Sequence, residues 1–257
     1  MDFVVCVKRT PDTTTRIKVD ADGRDVDPQG VEWVINPYDE FAIEEALKLR
    51  DKAGSGTVTA VSVDPEANQT VMRKVLAMGV DQGVILQGGG NYDGFSTASL
   101  LAEALRGMKF DLALFGKQAI DTDGTQVPSM VAALLEMPRV NVVTKLEIGD
   151  GKAVARRQVE GGDEVVELKL PCVISCQRGL NEPRYPTLKG IMAAKKKPLD
   201  VKKVAAPAAA LAVEKMEPPS ARPSGRIVAD VRGKSKDEIR AACRELLRLL
   251  KEEAKVL

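Results

Sequence analysis

The sequence predicts an α/β fold: a mostly parallel sheet with helices on both faces, an antiparallel strand extension and a C-terminal arm ending in a helix. Three observations predict it. Apolar, β-branched runs at 4–7, 58–63, 83–86 and 112–115 are each separated from the next by a segment with helical apolar spacing, which is the βαβ pattern of a parallel sheet. After Pro138 the pattern changes to short strand-like runs divided by turn residues, without long helices. Beyond residue 204 a Pro- and Ala-rich stretch leads to one last amphipathic segment.

The chain opens on Met1-Asp2-Phe3-Val4-Val5-Cys6-Val7-Lys8, a short β-type run with neither a basic leader nor a long apolar segment, so a first strand is expected and a cytoplasmic location with it. The first crossover is interrupted at 17–27, where two alternating pieces flank Asp22-Gly23; this predicts a hairpin insertion. Helices are expected from Pro37 or Tyr38 to about 52, and over about 66–78, 96–108 and 126–137, with Gly79 as the stop of the second. Strands are expected at 141–148, 153–160, 165–170 and 172–176, with turns at Gly149-Asp150-Gly151 and Gly161-Gly162-Asp163, all four forming the antiparallel extension. Residues 205–210 and 218–225 bracket a segment too rich in Pro and Ala to fold as a core unit, so it is read as an extended linker. Ser235-Lys236-Asp237-Glu238 is a capping-box pattern, and Ile239, Ala242, Leu246, Leu247, Leu249 and Leu250 continue on a helix whose apolar face needs a cover. The arrangement is Rossmann-like, with one α/β domain over 1–204 and an arm over 205–257.

Composition excludes several functions. With 38 basic and 37 acidic side chains no global field draws nucleic acid or an anionic membrane. Aromatics make up 4% of the chain, too few for a base-stacking surface. No apolar stretch reaches the roughly 18 residues that span a bilayer. The absence of histidine removes Ser-His-Asp and Cys-His catalysis and imidazole metal sites. Four cysteines without a CxxC suggest buried thiols in a reducing compartment; Cys172 and Cys176, four apart on a strand, share one face and are assigned to packing.

Three stretches carry the candidate chemistry. After the strand at 112–115 comes Gly116-Lys117-Gln118-Ala119-Ile120-Asp121-Thr122-Asp123-Gly124-Thr125-Gln126-Val127, at the carboxyl end of a parallel strand and entering a helix. Its backbone N–H groups and the helix dipole suit a nucleotide phosphate, although Asp and Thr cap helices regardless of function, and neither a Walker A nor a GxGxxG motif is present. Gly88-Gly89-Gly90-Asn91 is better read as a surface loop. In Val34-Ile35-Asn36-Pro37-Tyr38-Asp39-Glu40, Asn36 as a cap and Pro37 near the first helical position explain most of the pattern, while the Asn36 amide could also read a purine edge or ribose. The third stretch runs from Gln177 through Leu180-Asn181-Glu182-Pro183-Arg184-Tyr185-Pro186-Thr187-Leu188 to Ile191-Met192 and a Lys195-Lys196-Lys197 tract. It reads either as a surface helix with a solvated lysine run or as an apolar docking anchor beside steering charges.

Taken together and in order, Val5-Cys6-Val7-Lys8-Arg9 with Pro11-Asp12, Ile35-Asn36-Pro37-Tyr38-Asp39-Glu40 with Glu44-Glu45-Ala46-Leu47, Gly116-Lys117-Gln118-Ala119-Ile120-Asp121 and above all Leu180-Asn181-Glu182-Pro183-Arg184-Tyr185 resemble the electron transfer flavoprotein β-subunit family over about 1–204. The resemblance implies a heterodimer whose α subunit holds most of the redox FAD, with the 205–257 arm and its helix packing on that subunit. It implies a structural AMP in this chain, lined by Cys6, Asn36, Val63 and the loop from Gly116 to Val127. The segment with Tyr185, Leu188, Ile191, Met192, Lys195 and Lys196 would then recognise flavin dehydrogenases such as acyl-CoA dehydrogenases, with Leu188 as the inserted anchor, and electrons would pass on to a quinone-linked acceptor. The chain would be a carrier subunit rather than an enzyme. Another branch of the family binds a second FAD in place of AMP, and Asp123-Gly124-Thr125 is compatible with it. A stand-alone adenine-nucleotide hydrolase or ligase is the rival of a different class; Asp121 and Asp123 could hold its metal, but Lys117 alone is near enough to clamp phosphate.

Overall fold

The computed structural model describes residues 1–88, 92–205, 207–220 and 224–257. Gly89, Gly90 and Asn91 of the glycine run, and Ala206 and 221–223 of the linker, lie outside the described residues. The chain divides into two compact units, Met1–Met216 and Glu217–Leu257.

The first unit is built on a nine-stranded sheet. In chain order its strands are β1 (Phe3–Cys6), β4 (Val58–Val63), β5 (Gln82–Gln87), β6 (Leu112–Gly116), β7 (Arg139–Gly149), β8 (Lys152–Val159), β9 (Gly162–Lys169), β10 (Cys172–Cys176) and β11 (Leu199–Lys203). Across the sheet they run β11-β5-β4-β1-β6-β10-β7-β8-β9. Every pairing from β11 to β7 is parallel, and only β7-β8 and β8-β9 are antiparallel. The short strands β2 (Arg9–Pro11) and β3 (Trp33–Ile35) form a separate antiparallel ladder beside the end of β1.

One strand expectation is corrected, and one strand is added. Residues 172–176 do not extend the antiparallel part; β10 inserts between β6 and β7, parallel to both. All five of its residues are buried, as in a strand covered on both faces, whereas β8 alternates buried and exposed positions. The edge strand β11 was not expected, because Leu199-Asp200-Val201-Lys202-Lys203 is mostly charged and exposed, the composition that blunts a sheet edge. The 17–27 insertion is a hairpin reduced to one bridge, Val19 with Val26, closed by the Asp20–Asp25 and Asp27–Lys18 backbone bonds.

Helices α1 (Pro37–Ala53) and α2 (Gln69–Met78) cover one face of the sheet; α3 (Gly94–Arg106) and α4 (Val127–Leu134) cover the other. Side chains of β1 divide with period two: Phe3 and Val5 join the α1–α2 core, Val4 and Cys6 the α3–α4 core. The helix starts follow local capping. Asn68 takes the Thr70 N–H at 2.9 Å and Asp93 takes the Ser96 N–H at 2.7 Å, and Gly79, at φ 129°, ends α2. A short helix α5 (Leu188–Ala194) precedes β11. The second unit carries α6 (Lys236–Glu252), opened by the Ser235–Glu238 capping box; Leu246 and Leu247 on it are exposed. Among the described residues no helix is long and apolar enough to cross a membrane.

Strand order reverses at β1. The crossovers from β1 through α1 and α2 build outward to β5, and the chain then returns to place β6 on the other side of β1. At such a switch point the loops leaving the carboxyl ends of neighbouring strands diverge and leave a crevice.

Candidate functional site

The crevice is organised around one buried carboxylate. Where β1 ends, the Lys8 backbone N–H donates to Asp39 Oδ2 at 2.7 Å; where β6 ends, the Gly116 N–H donates to Asp39 Oδ1 at 3.1 Å. Asn36 Nδ2 donates to the same Oδ1 at 2.9 Å. Asp39 therefore ties both strand ends to the first turn of α1. Burial pushes its carboxyl up to about 7, against the pull of these three donors and of the nearby Lys8 ammonium. The approach is close: a Cβ on Gly116 would lie 2.3 Å from Asp39 Oδ1 and 2.7 Å from the Tyr38 carbonyl carbon.

Asn36 does not cap α1 with its side chain, contrary to the expectation. Pro37 already removes one N–H that a cap would serve. The Asn36 amide instead braces the loop, donating to the Gln118 carbonyl at 2.8 Å and accepting from the Ile120 N–H at 3.2 Å. Cys6 lies buried at the end of β1, in register with Val61 and Phe115, and Val63 ends β4, so the Cys6, Asn36, Val63 and Gly116–Val127 positions meet at one edge of the sheet. Residues 121–126 are exposed, with Asp123 and Thr125 at positive φ on either side of Gly124. Gln118 Nε2 donates to Asp123 Oδ1, and the Asp123 N–H returns to the Ala119 carbonyl at 2.8 Å. No side chain caps α4, and Pro128 removes one of its opening N–H groups; those that remain could serve an anionic phosphate.

Sequence reasoning missed two members of this site. Lys8 reaches across the loop to Asp121, with Nζ–Oδ distances of 2.6 and 2.7 Å. Arg9 stacks on Trp33 at 4.1 Å and pairs with Asp64 at 2.8 Å and Glu66 at 2.7 Å, walling the crevice at the end of β4. A cation immediately after a buried strand is the signal that could have found both.

The third stretch forms a separate surface. Its Asn-Glu-Pro-Arg segment is clamped to α1: Asn181 Nδ2 donates to the Phe41 carbonyl at 3.0 Å and to Glu45 at 2.8 Å, and Arg184 reaches the buried Glu44 at 2.7 and 3.0 Å. On the other side α5 sits on α2 so closely that a Cβ on Gly190 would stand 2.4 Å from the Ala77 carbonyl oxygen. Arg73 donates to the carbonyls of Ala194 and Lys197, and Lys197 turns inward to the carbonyls of Leu76 and Val80. Between these anchors Tyr185 is 92% exposed, Leu188 83% and Met192 71%, with Ile191, Lys195 and Lys196 also exposed. The apolar set points to solvent rather than to the core, and Ala194 takes the buried position.

The Electron transfer flavoprotein domain family matches residues 25–207, which include α1, the loop after β6 and the clamped segment. The chain is 40% identical to the electron transfer flavoprotein subunit beta of Syntrophomonas wolfei over 90% of each chain. It is also 40% identical to that of Bacillus subtilis over the whole of both. The chain belongs to the electron transfer flavoprotein β-subunit family. A further relative, the caffeyl-CoA reductase–Etf complex subunit CarD of Acetobacterium woodii, is 38% identical over 78% of each chain. As an electron transfer flavoprotein β chain it plays an electron-transfer role, and its family is tied to flavin. Among the described residues no group of three or more His, Cys, Asp or Glu could hold a metal ion.

Proposed function

We propose that this β subunit pairs with a flavin-bearing α subunit, holds AMP in the crevice between β1 and β6, and recognises flavin dehydrogenases such as acyl-CoA dehydrogenases through Leu188. The FAD, held mainly by the α subunit, would accept and release the electrons on their way to a quinone-linked acceptor. This chain supplies no acid or base to that step. Asp39 and Asn36 set the shape of the phosphate loop, while the first N–H groups of α4 and the walls at Cys6 and Val63 suit a nucleotide. The end of the 205–257 arm, with the exposed leucines of α6, packs on the α subunit.

The observation that carries the recognition role is the rigid base beneath an exposed apolar set. An anchor presented by a clamped segment loses little conformational entropy on docking, and the adjacent Lys195 and Lys196 speed encounter with an acidic partner. Leu188→Ala is expected to raise the apparent KM of a dehydrogenase for the carrier by about tenfold, with FAD content and heterodimer yield unchanged. An unaltered KM would remove Leu188 from recognition, and loss of flavin would assign it to the cofactor instead. A second reading, FAD in place of AMP, is favoured by the exposed small-residue turn at Asp123-Gly124-Thr125. The nucleotide released from the purified complex separates the two.

A further inference from the structure

After β11 the chain does not leave the α/β unit at once. The Val204 N–H donates to the Gln87 carbonyl at 2.8 Å, at the end of β5. Six residues later the N–H groups of Ala210 and Leu211 both donate to Asp93 Oδ2, each at 2.8 Å. The Met216 N–H then reaches the Gly23 carbonyl at 2.7 Å, on the hairpin that follows β2. The segment 207–216 has no helix or strand, yet it is tied to the start of α3 and to the 17–27 hairpin.

Asp93 is the central tie, and its two oxygens have different partners. Oδ1 takes the Ser96 N–H at 2.7 Å and the Ser96 hydroxyl at 2.6 Å, which caps α3. Oδ2 is spent on the strap. Four donors on one carboxylate hold its pKa down, at about 2, so the clamp stays charged at any working pH. The next residue, Gly94, meets the nucleotide loop: a Cβ there would stand 2.8 Å from Gln126 Nε2, at the start of α4. Tyr92 packs in the same apolar cluster as Val63, Val127 and Val204.

We propose that Asp93 is a positioning residue with two separable duties, capping α3 with one oxygen and clamping the 207–216 strap beside the nucleotide loop with the other, so that strap release and nucleotide exchange are linked. The linkage to nucleotide rests on the crevice holding AMP; the clamp itself does not. An aspartate is required because both oxygens must accept. Serine is a good cap with a single oxygen, and asparagine would turn an NH2 donor toward two N–H donors.

Hydrogen exchange on the full-length chain, with AMP as the added ligand, tests this. Asp93→Ser is expected to speed exchange at the Ala210 and Leu211 amides by about tenfold or more, to leave the Ser96 and Thr97 amides within about twofold of wild type, and to speed AMP release severalfold. Asp93→Asn should give the same pattern, while Asp93→Ala should deprotect both sets. Wild-type protection of Ala210 and Leu211 in Asp93→Ser would overturn the clamp, and so would loss of the strap and the α3 start together. If the clamp result holds but AMP leaves at the wild-type rate, the linkage is overturned. A wild-type chain that binds no AMP would sink the nucleotide reading and leave the exchange data to decide the clamp.

Discussion

At the scale of single residues the crevice depends on Asp39. Its carboxyl is raised from an ordinary value of 3.8 to about 7 by burial, so in the folded chain it binds a proton that the unfolded chain releases. The sign follows: this share of stability is complete below about pH 3.8 and is lost as the pH rises through about 7. Urea unfolding is expected to show lower stability at pH 8 than at pH 5, with an Asp39 share of order a few kcal/mol. Asp39→Asn should flatten that slope, although it starts from lower stability because one of the N–H groups of Lys8 and Gly116 loses its acceptor. A slope identical to wild type would show that Asp39 does not titrate in this range. Gly116→Ala is a second test at this scale. Its Cβ would meet backbone at 2.7 Å, so a cost of at least about 1–3 kcal/mol is expected in thermal melts. Gly94→Ala meets the flexible side chain of Gln126 rather than backbone and should cost less than Gly116→Ala.

Residue-scale chemistry was partly legible. The loop after β6 could be placed because small residues and hydroxyls after an apolar strand are a local pattern. The work of Asn36 was not legible, since its partners Gln118 and Ile120 lie more than 80 residues away in sequence and a cap is the cheaper local explanation. Lys8 and Asp121 meet across 113 residues, so a cation after a buried strand marks Lys8 without naming its partner.

Among the elements, α1 connects the two candidate surfaces. Its N-terminus closes the crevice through Asn36 and Asp39, and its flank carries Glu44, Glu45 and Asp51, which hold the segment leading to α5. Arg184→Ala strands a buried carboxylate, with a destabilisation of about 1–3 kcal/mol after allowing for the partial exposure of Arg184. The same change is expected to speed amide exchange across 177–191 while the β6 loop keeps its protection; equal loss at both places would mean that the clamp is not local to docking. The parallel strands β1, β4, β5 and β6 follow from their apolar runs, because each is buried over most of its length, and helices α1 to α4 follow from the spacing of the residues they bury. The exceptions have physical reasons. β10 looks like its antiparallel neighbours in sequence order, and its place between β6 and β7 is a long-range choice; β11 is an edge whose charge hides it.

For the whole molecule, near-neutral charge and the absence of histidine fit a subunit that binds a nucleotide and partners while the redox chemistry stays with a flavin. The sheet places the proposed phosphate loop, Gly116–Val127, at the switch point, and the proposed docking set lies on the α1–α2 face, apart from that crevice. Co-expression of this chain with its α subunit, followed by denaturation of the purified complex and quantification of every nucleotide released, tests this division of labour most directly. One FAD and one AMP per heterodimer is the predicted result. Two FAD with no AMP, or FAD released from this chain purified alone, would contradict it.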